Sequence, residues 1–576
     1  MARQSQTPTQ SKTHLLGRTA LTGLLAAALF LSACGQAVSP TDDLAAPPAP
    51  VTVTRLPLAM DSAACTDTFL PKDLDHITTT ADGVIRAFES NGAGVAAGDL
   101  DDDGDLDLVL GSHAGPDTIL WNEGGLGFRK ESFGPGLTRS VAVVDVDGDG
   151  GLDIVLTRHS GAVNLWRNLG PDAAGPRFAP AFLSGVGSPA YAQDWADLDL
   201  DGDLDLVTAS YDAALLNDLG NSFLMGGGGG VHVHTQAAGL FRTLSLAQSA
   251  QALVVNLVDV SGDGRLDILV GNDFAVPDMA WAGSLDKPAD GWRPITPFAH
   301  TSYSTMSFDA GDVDNNGQLD LFATDMKPPD QSVETLSAWL PVVQELWSNH
   351  ANDDPQRMEN TLQLQTGPGR FDYGGYTRRI DATGWSWSGK FGDLDNDGFL
   401  DLYIVNGMAE ERIFAHLPDH ELVEANKAFR NDGDGAFLPV DTWGLGSLRS
   451  GRGMVMADLD GDGDLDIVVN NLRAPAQLFE NRLCGGAGIE VDLRQSGTGN
   501  THAIGAAVTL HTDRGEQLRA VRVASGYLSG DSSRLHFGVA KDAVISGLTI
   551  RWPDGAVSVV DGVAAGEMVT IVRGDR

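Results

Sequence analysis

The sequence predicts an all-β protein in which a seven-bladed β-propeller is followed by a small β-sandwich or barrel domain. Three observations carry this. One Asp-rich pattern recurs seven times, and every copy lies between two short apolar runs. From Gly485 the pattern stops and gives way to alternating segments: IEVDL, AAVTLHT, LRAVRV, RLHFGV, LTIRW and MVTIV. Alternation of period two marks half-buried strands, and a long internal repeat marks sheets that stack or radiate.

Each copy is a short apolar strand, then D-x-D-x-D-G-x-x-D, then apolar residues opening a second strand. The copies begin at Asp99, Asp145, Asp197, Asp259, Asp312, Asp393 and Asp458. They read DLDDDGDLDLVL, DVDGDGGLDIVL, DLDLDGDLDLVT, DVSGDGRLDILV, DVDNNGQLDLFA, DLDNDGFLDLYI and DLDGDGDLDIVV. Starts lie 46 to 81 residues apart, which leaves room for a four-stranded blade with variable loops. The repeats predict a propeller over 65–484 and a second β domain over 485–576.

The spacing has a chemical reason. A hard cation such as Ca²⁺ takes six to eight oxygens, and carboxylates at alternate loop positions fold inward around one point. Positions one, three, five and nine supply those oxygens, a glycine at six permits the turn, and residue seven can offer its carbonyl. The candidate ligands of the first copy are Asp99, Asp101, Asp103 and Asp107, with Asp105 seventh. Those of the second are Asp145, Asp147, Asp149 and Asp153, with Gly151 seventh; those of the third are Asp197, Asp199, Asp201 and Asp205, with Asp203 seventh. The fourth has Asp259, Ser261, Asp263 and Asp267 with Arg265, and the fifth has Asp312, Asp314, Asn316 and Asp320 with Gln318. The sixth has Asp393, Asp395, Asp397 and Asp401 with Phe399, and the seventh has Asp458, Asp460, Asp462 and Asp466 with Asp464. Ser261 and Asn316 make two copies weaker by one carboxylate. An EF-hand would need Glu at position twelve and a flanking helix, whereas these loops run into β-branched and aromatic residues. The expected cofactor is Ca²⁺, about seven ions in all.

A second element follows several loops: a strand ending in Asn or a similar residue, a Gly-containing turn, then an aromatic residue. LWNEGGLGF (Leu120 to Phe128), LWRNLGP (Leu165 to Pro171), LLNDLGNSF (Leu215 to Phe223) and AFRNDGDGAF (Ala428 to Phe437) are examples. This chemistry predicts hairpins, with the aromatic residue packed between blades. Between Gln331 and Asn352 the apolar spacing turns helical and predicts an insertion. His232 and His234 would share one strand face, but no third ligand accompanies them.

The N-terminus reads as an export signal over 1–33, with Arg3, Lys12 and Arg18 before an apolar run from Ala20 to Leu31. That run ends in Leu31-Ser32-Ala33-Cys34-Gly35, which resembles the bacterial lipobox, so Cys34 is the expected lipid site. Residues 34–64 read as a flexible tether. Cys65 and Cys484 remain as a candidate disulfide, in an oxidising compartment, where the propeller ring would shut. Acidic residues outnumber basic ones 78 to 38, for a net charge of −40, so nucleic acid is not an expected partner.

Beyond the loops, GNDFAVPD (Gly271 to Asp278), DMKP (Asp325 to Pro328), RMENTLQL (Arg357 to Leu364) and WSWSGKFGDLDNDG (Trp385 to Gly398) are distinctive. So are THAIGAAVTLHT from Thr501, GYLSGDSSRLHFGV from Gly526 and IRWPDG from Ile550. With these residues the chain resembles the FG-GAP/VCBS repeat propellers that carry a C-terminal ASPIC/UnbV domain, the group that includes the cartilage acidic protein relatives. The resemblance implies an integrin-like propeller whose calcium loops stiffen the face opposite the ligand-binding face. It does not choose among adhesion, ligand binding and scaffolding.

His113 and His159 stand fourteen residues after their loops begin, and Tyr211 and Asp273 hold the same register in the next two repeats. They form a candidate ligand ring on the face away from the loops. There is no G-x-S-x-G elbow, no H-E-x-x-H, no phosphate-cradling glycine loop and no Cys-His pairing that would activate a thiol. The expectation is therefore a binding or adhesion module for a protein or glycan, not an enzyme. An envelope scaffold, or less readily a carbohydrate-active enzyme, is the alternative.

Overall fold

The computed structural model describes residues 48–574 apart from 60–64, 159–160, 162, 172–174, 226–228, 275, 285–290, 343–354 and 434–435. The export signal, Cys34 and His159 lie outside the described residues. Every acidic copy occupies the turn between the first and second strands of a sheet. The described residues form seven such sheets, each built on a four-strand antiparallel meander. The first strands, Val95–Gly98, Thr138–Val144, Ala192–Ala196, Ala252–Val258, Ser307–Gly311, Gly384–Gly392 and Gly451–Ala457, lie side by side in that order. The last touches the first, so the sheets close into a propeller. Close approach explains the glycines that end some of these strands. A Cβ on Gly98 would stand 2.8 Å from Val143 of the next blade, and one on Gly392 would stand 2.7 Å from Met456.

The ring shuts with a strand from the other end of the chain. Leu70–Ile77 pairs antiparallel with Pro475–Glu480 and forms the outer strand of the seventh sheet. Beside that seam Cys65 and Cys484 are disulfide-bonded, with Cα atoms 5.2 Å apart.

The C-terminal residues form two four-stranded sheets around Ile489, Val491, Val508, Leu510, Leu548, Ile550, Val569 and Ile571. One sheet corrects the expected tether. Val51–Pro57, within the stretch read as flexible, is an edge strand paired with Glu567–Arg573 from Val51↔Arg573 to Pro57↔Glu567. Its sequence, VTVTRLP, is β-forming, but its partner lies more than five hundred residues away in sequence, so composition alone reads it as linker.

LLNDLGNSF is a second correction, because it is helical rather than a hairpin. Asp212–Leu219 and Asn221–Met225 are short helices, and the third strand of that blade is Val231–Ala237. The Ala- and Leu-rich run DAALLNDL buries Ala214 and Leu215, and this outweighs the turn signal of Asn-Asp and Gly. His234 in the third strand lies 2.9 Å and 2.8 Å from the hydroxyls of Thr208 and Thr243, so hydrogen bonds occupy both ring nitrogens. The insertion after Gln331 contains the helix Val333–Ala338, whose N-cap Ser332 accepts from Thr335. Beyond it, the buried Trp339 packs on Trp385 and donates to Glu424. The expected packing of the post-turn aromatic between blades is seen at Phe128, against a cluster with Leu459 and Leu478 of the seventh sheet, and at Phe437, in a cluster with Val313 and Phe322 of the fifth. Elsewhere Trp121 stacks on Phe178 and Phe133 meets Trp166 edge-on between the first two sheets.

Candidate metal centres

The seven loops share one hydrogen-bond scheme. The first Asp turns its carboxylate back onto the loop's own amides: Gly104 N–H donates to Asp99 at 3.1 Å, Gly398 to Asp393 at 2.8 Å and Gly463 to Asp458 at 2.9 Å. The seventh residue donates its N–H to the side chain at position five in every copy. These donors are Asp105, Gly151, Asp203, Arg265, Gln318, Phe399 and Asp464. In six copies the ninth Asp also ties the loop to the third strand, whereas Asp267 of the fourth accepts from Ser261 of its own loop. Asp107 accepts from the N–H of Asn122 at 2.7 Å, Asp401 from Asn431 at 2.8 Å and Asp466 from Asn481 at 2.8 Å.

Those asparagines explain the Asn that recurs at the end of the third strand. Asn122 Nδ2 reaches Leu459 O of the preceding blade at 2.6 Å, and Asn168 reaches Leu100 O at 3.0 Å. Asn431 and Asn481 repeat the bond to Val313 O and Leu394 O at 2.7 and 2.8 Å, and Gln236 does so to Val146 O at 3.2 Å. Each side chain therefore staples its blade to the one before. Replacing Asn481 with Ala strands a buried carbonyl and should cost about 1–3 kcal/mol, read as a lower denaturant midpoint with an unchanged slope.

With this scheme in place, carboxylate oxygens of Asp99, Asp101 and Asp103 converge to within 4.8 Å of one another. So do those of Asp145, Asp147 and Asp153, of Asp197, Asp199 and Asp205, of Asp312, Asp314 and Asp320, and of Asp393, Asp395 and Asp401. Burial, reinforced by neighbouring carboxylates, pushes Asp107 and Asp153 up to about 7 and Asp205 and Asp320 up to about 8. In five loops one buried oxygen accepts no hydrogen bond: Oδ1 of Asp101, Asp197, Asp314, Asp395 and Asp460. Such an oxygen is costly unless a cation or water sits on it, and an oxygen-only, carboxylate-rich donor set suits a hard divalent cation.

The loops are not equivalent. Arg167 pairs with Asp147 and Asp149 in the second copy, and Arg430 pairs with Asp395 and Asp397 in the sixth. In the fourth copy Ser261 Oγ lies 3.4 Å from both Asp259 and Asp267, while Asp259 accepts from Gly262, Asp263 and Gly264. With one proton, that hydroxyl donates at long range to one carboxylate at a time. In the fifth, Asn316 donates to Gln365 O, yet Asp314 keeps its unpartnered oxygen.

The candidate ligand ring differs from expectation. Tyr211 and Asp273 are buried and bonded to each other, Tyr211 Oη to Asp273 Oδ2 at 2.6 Å, with Phe274 stacked on Tyr211. His113 is buried too, 3.9 Å from Glu89. Position along the strand was readable, but exposure was not, because the loop Ala87–Asn91 folds over the axis. Arg139 and Arg452 hold it there by donating to Phe88, Ser90 and Gly92 carbonyls.

The class is thus a closed propeller with an acidic strand-loop-strand turn in each blade and a β-sandwich packed against it. Residues 99–156, 145–208, 259–323 and 419–469 match the FG-GAP-like repeat, and 496–576 match the ASPIC and UnbV family. This chain is an FG-GAP-repeat protein with a C-terminal ASPIC and UnbV domain. It is 30% identical over 191 residues to cartilage acidic protein 1 of Homo sapiens, covering 31% of this chain and 27% of that protein. It is 28% identical over 194 residues to the Xenopus tropicalis protein of the same name, covering 31% and 27%. The match thus spans about a quarter of the length of these relatives. Among solved structures, the complex of BBS1N with ARL6DN shares 9% identity at a TM-score of 0.40, over 72% of this chain and 97% of that one. Rhamnogalacturonan lyase YesW shares 13% at 0.37, over 72% and 76%.

Proposed function

We propose that this chain is a calcium-stabilised, extracytoplasmic binding or adhesion module, anchored through lipid on Cys34 and without enzymatic activity. The observation that carries the calcium reading is the set of buried, unpartnered Oδ1 atoms at Asp101, Asp197, Asp314, Asp395 and Asp460. The extracytoplasmic reading is supported by the Cys65–Cys484 disulfide, which belongs to an oxidising compartment, and by the relatives' name, which places them in cartilage. Among the described residues no helix is long and apolar enough to cross a membrane.

The ligand is a protein or glycan held on the propeller face away from the loops. The C-terminal domain packs over the loop face, and on the other face, around the loop Ala87–Asn91, the described residues Tyr376 and Leu448 are 71% and 61% exposed. Arraying calcium-loaded protein against glycans and surface proteins should give ligands whose binding the chelator abolishes. Failure to bind any would favour a scaffold, and turnover of a bound glycan would overturn the non-enzymatic reading. Lipid anchoring has its own test: Cys34→Ser should shift the protein to soluble fractions or leave the signal uncleaved, and unchanged membrane retention and size would refute it.

A further inference from the structure

We infer that the C-terminal domain is a cation-dependent cap, docked through the turns of the acidic loops so that cation occupancy and docking are coupled. The inference rests on the calcium reading above and adds to it the residues that sense occupancy.

Three loops offer the cap the same atom, the carbonyl of the sixth-position glycine. Arg534 Nη2 donates to Gly104 O at 3.0 Å. Thr498 Oγ1 and Asn500 N both donate to Gly202 O at 2.7 Å. His536 Nε2 lies 3.1 Å from Gly463 O. Two more loops are held by other atoms: Thr501 Oγ1 donates to Asp145 Oδ2 at 2.5 Å, and Gly486 N to Asp395 O at 3.1 Å.

From this footing a hairpin enters the propeller axis. Its strands are Ala524–Ser525 and Ser529–Gly530, and the Tyr527 between them is fully buried. Tyr527 Oη donates to Asn91 O at 3.0 Å, and Gly526 N donates to Phe308 O at 2.8 Å. Val141 N donates to Leu528 O at 3.0 Å, and Ser529 Oγ accepts from Met454 N at 3.1 Å. At the hairpin's base Asp531 pairs with Lys390 and Arg522, and Arg522 also pairs with Asp309.

The coupling follows from where the sixth carbonyl sits. Gly104, Gly202 and Gly463 adopt φ of 100°, 99° and 91°, in a turn where each donates its N–H to the first Asp of its loop. A cation removes the mutual repulsion of the loop carboxylates and fixes the turn. Without it the carboxylates spread and the carbonyls leave the cap's donors. By linkage, a cap that prefers the closed turn must tighten cation binding by the same factor that cations tighten docking.

The test uses the full chain. In wild type, partial chelation should raise hydrogen exchange of Gly526–Asp531 by about tenfold while the inner strands stay protected, a size typical of such couplings. Calorimetry of the double variant Thr498→Val, Arg534→Gln should show the same number of calcium ions, with a subset bound roughly fivefold more weakly. His536→Phe, which keeps the ring but removes the Nε2 donor to Gly463 O, should weaken a smaller subset if the double variant fails to fold. An isotherm identical to wild type, or hairpin exchange that rises only together with the inner strands, overturns the coupling. No calcium uptake by wild type overturns the calcium reading itself, so the two failures are distinguishable.

Discussion

Stripping divalent cations from the folded protein should lower its melting temperature by roughly 10 °C or more, and restoring calcium should recover it. A site filled at a hundred times its dissociation constant adds about 2.7 kcal/mol, so five filled sites add ~13 kcal/mol. A chain this long gains unfolding entropy of about 1 kcal/mol per degree, which converts that sum to ~10 °C. The sites should empty in order. The copies beginning at Asp259 and Asp312 have three carboxylates at positions one, three, five and nine where the others have four. The fourth copy should empty first, since Ser261 puts a neutral hydroxyl where a third-position carboxylate would stand, whereas Asp314 in the fifth keeps an unpartnered oxygen. Asp460→Ala should remove one ion.

The metal-free protein carries a pH signature of opposite sign to the usual acid denaturation. Asp107, Asp153, Asp205 and Asp320 are raised in the fold to between about 7 and about 8. The folded state therefore holds protons that the unfolded chain releases near pH 4. Their contribution is fully present below that pH and is lost as pH rises through 7 and 8. Chelated protein should thus melt lower at pH 8 than at pH 5.5, and saturating calcium should flatten or reverse the slope. A calorimetric titration without uptake, or melting indifferent to chelator at both pH values, would sink the metal reading.

The second large effect is at the ring closure. Opening the Cys65–Cys484 bond frees a loop of 419 residues, for which the chain-entropy account gives about 6 kcal/mol as an upper figure. Cys65→Ser with Cys484→Ser should lose several kcal/mol, and reduction of wild type should lose the same amount. The change acts where the strand Leu70–Ile77 completes the seventh sheet, so exchange should rise first in that strand and in Pro475–Glu480. Equal stability in oxidised and reduced protein would show that strand pairing alone holds the ring shut.

The acidic loops were legible because their information is local. The Asp spacing, the sixth-position glycine and the apolar residues on either side set the strand-loop-strand turn within a dozen residues, and the structure finds the turn at all seven copies. The recurring Asn at the end of the third strand was legible as a pattern but not as a device. Its hydrogen-bond partner, such as Leu459 O for Asn122, belongs to another blade. The same holds for Thr498, Arg534 and His536, polar residues in a β rhythm that meet the loops only once two distant segments are packed together.

Sequence by itself determined the β class, the acidic turn chemistry, the cysteine pair and the point where repeats yield to a second β domain. Tertiary structure alone decided that Val51–Pro57 is a strand and that Tyr211 and Asp273 are buried beneath the axial loop Ala87–Asn91. It also decided that Tyr527 enters the axis. The physical reason is range. A turn's geometry is fixed by the residues within it, whereas strand pairing and burial depend on which surface arrives from elsewhere in the chain, and no local pattern encodes that arrival.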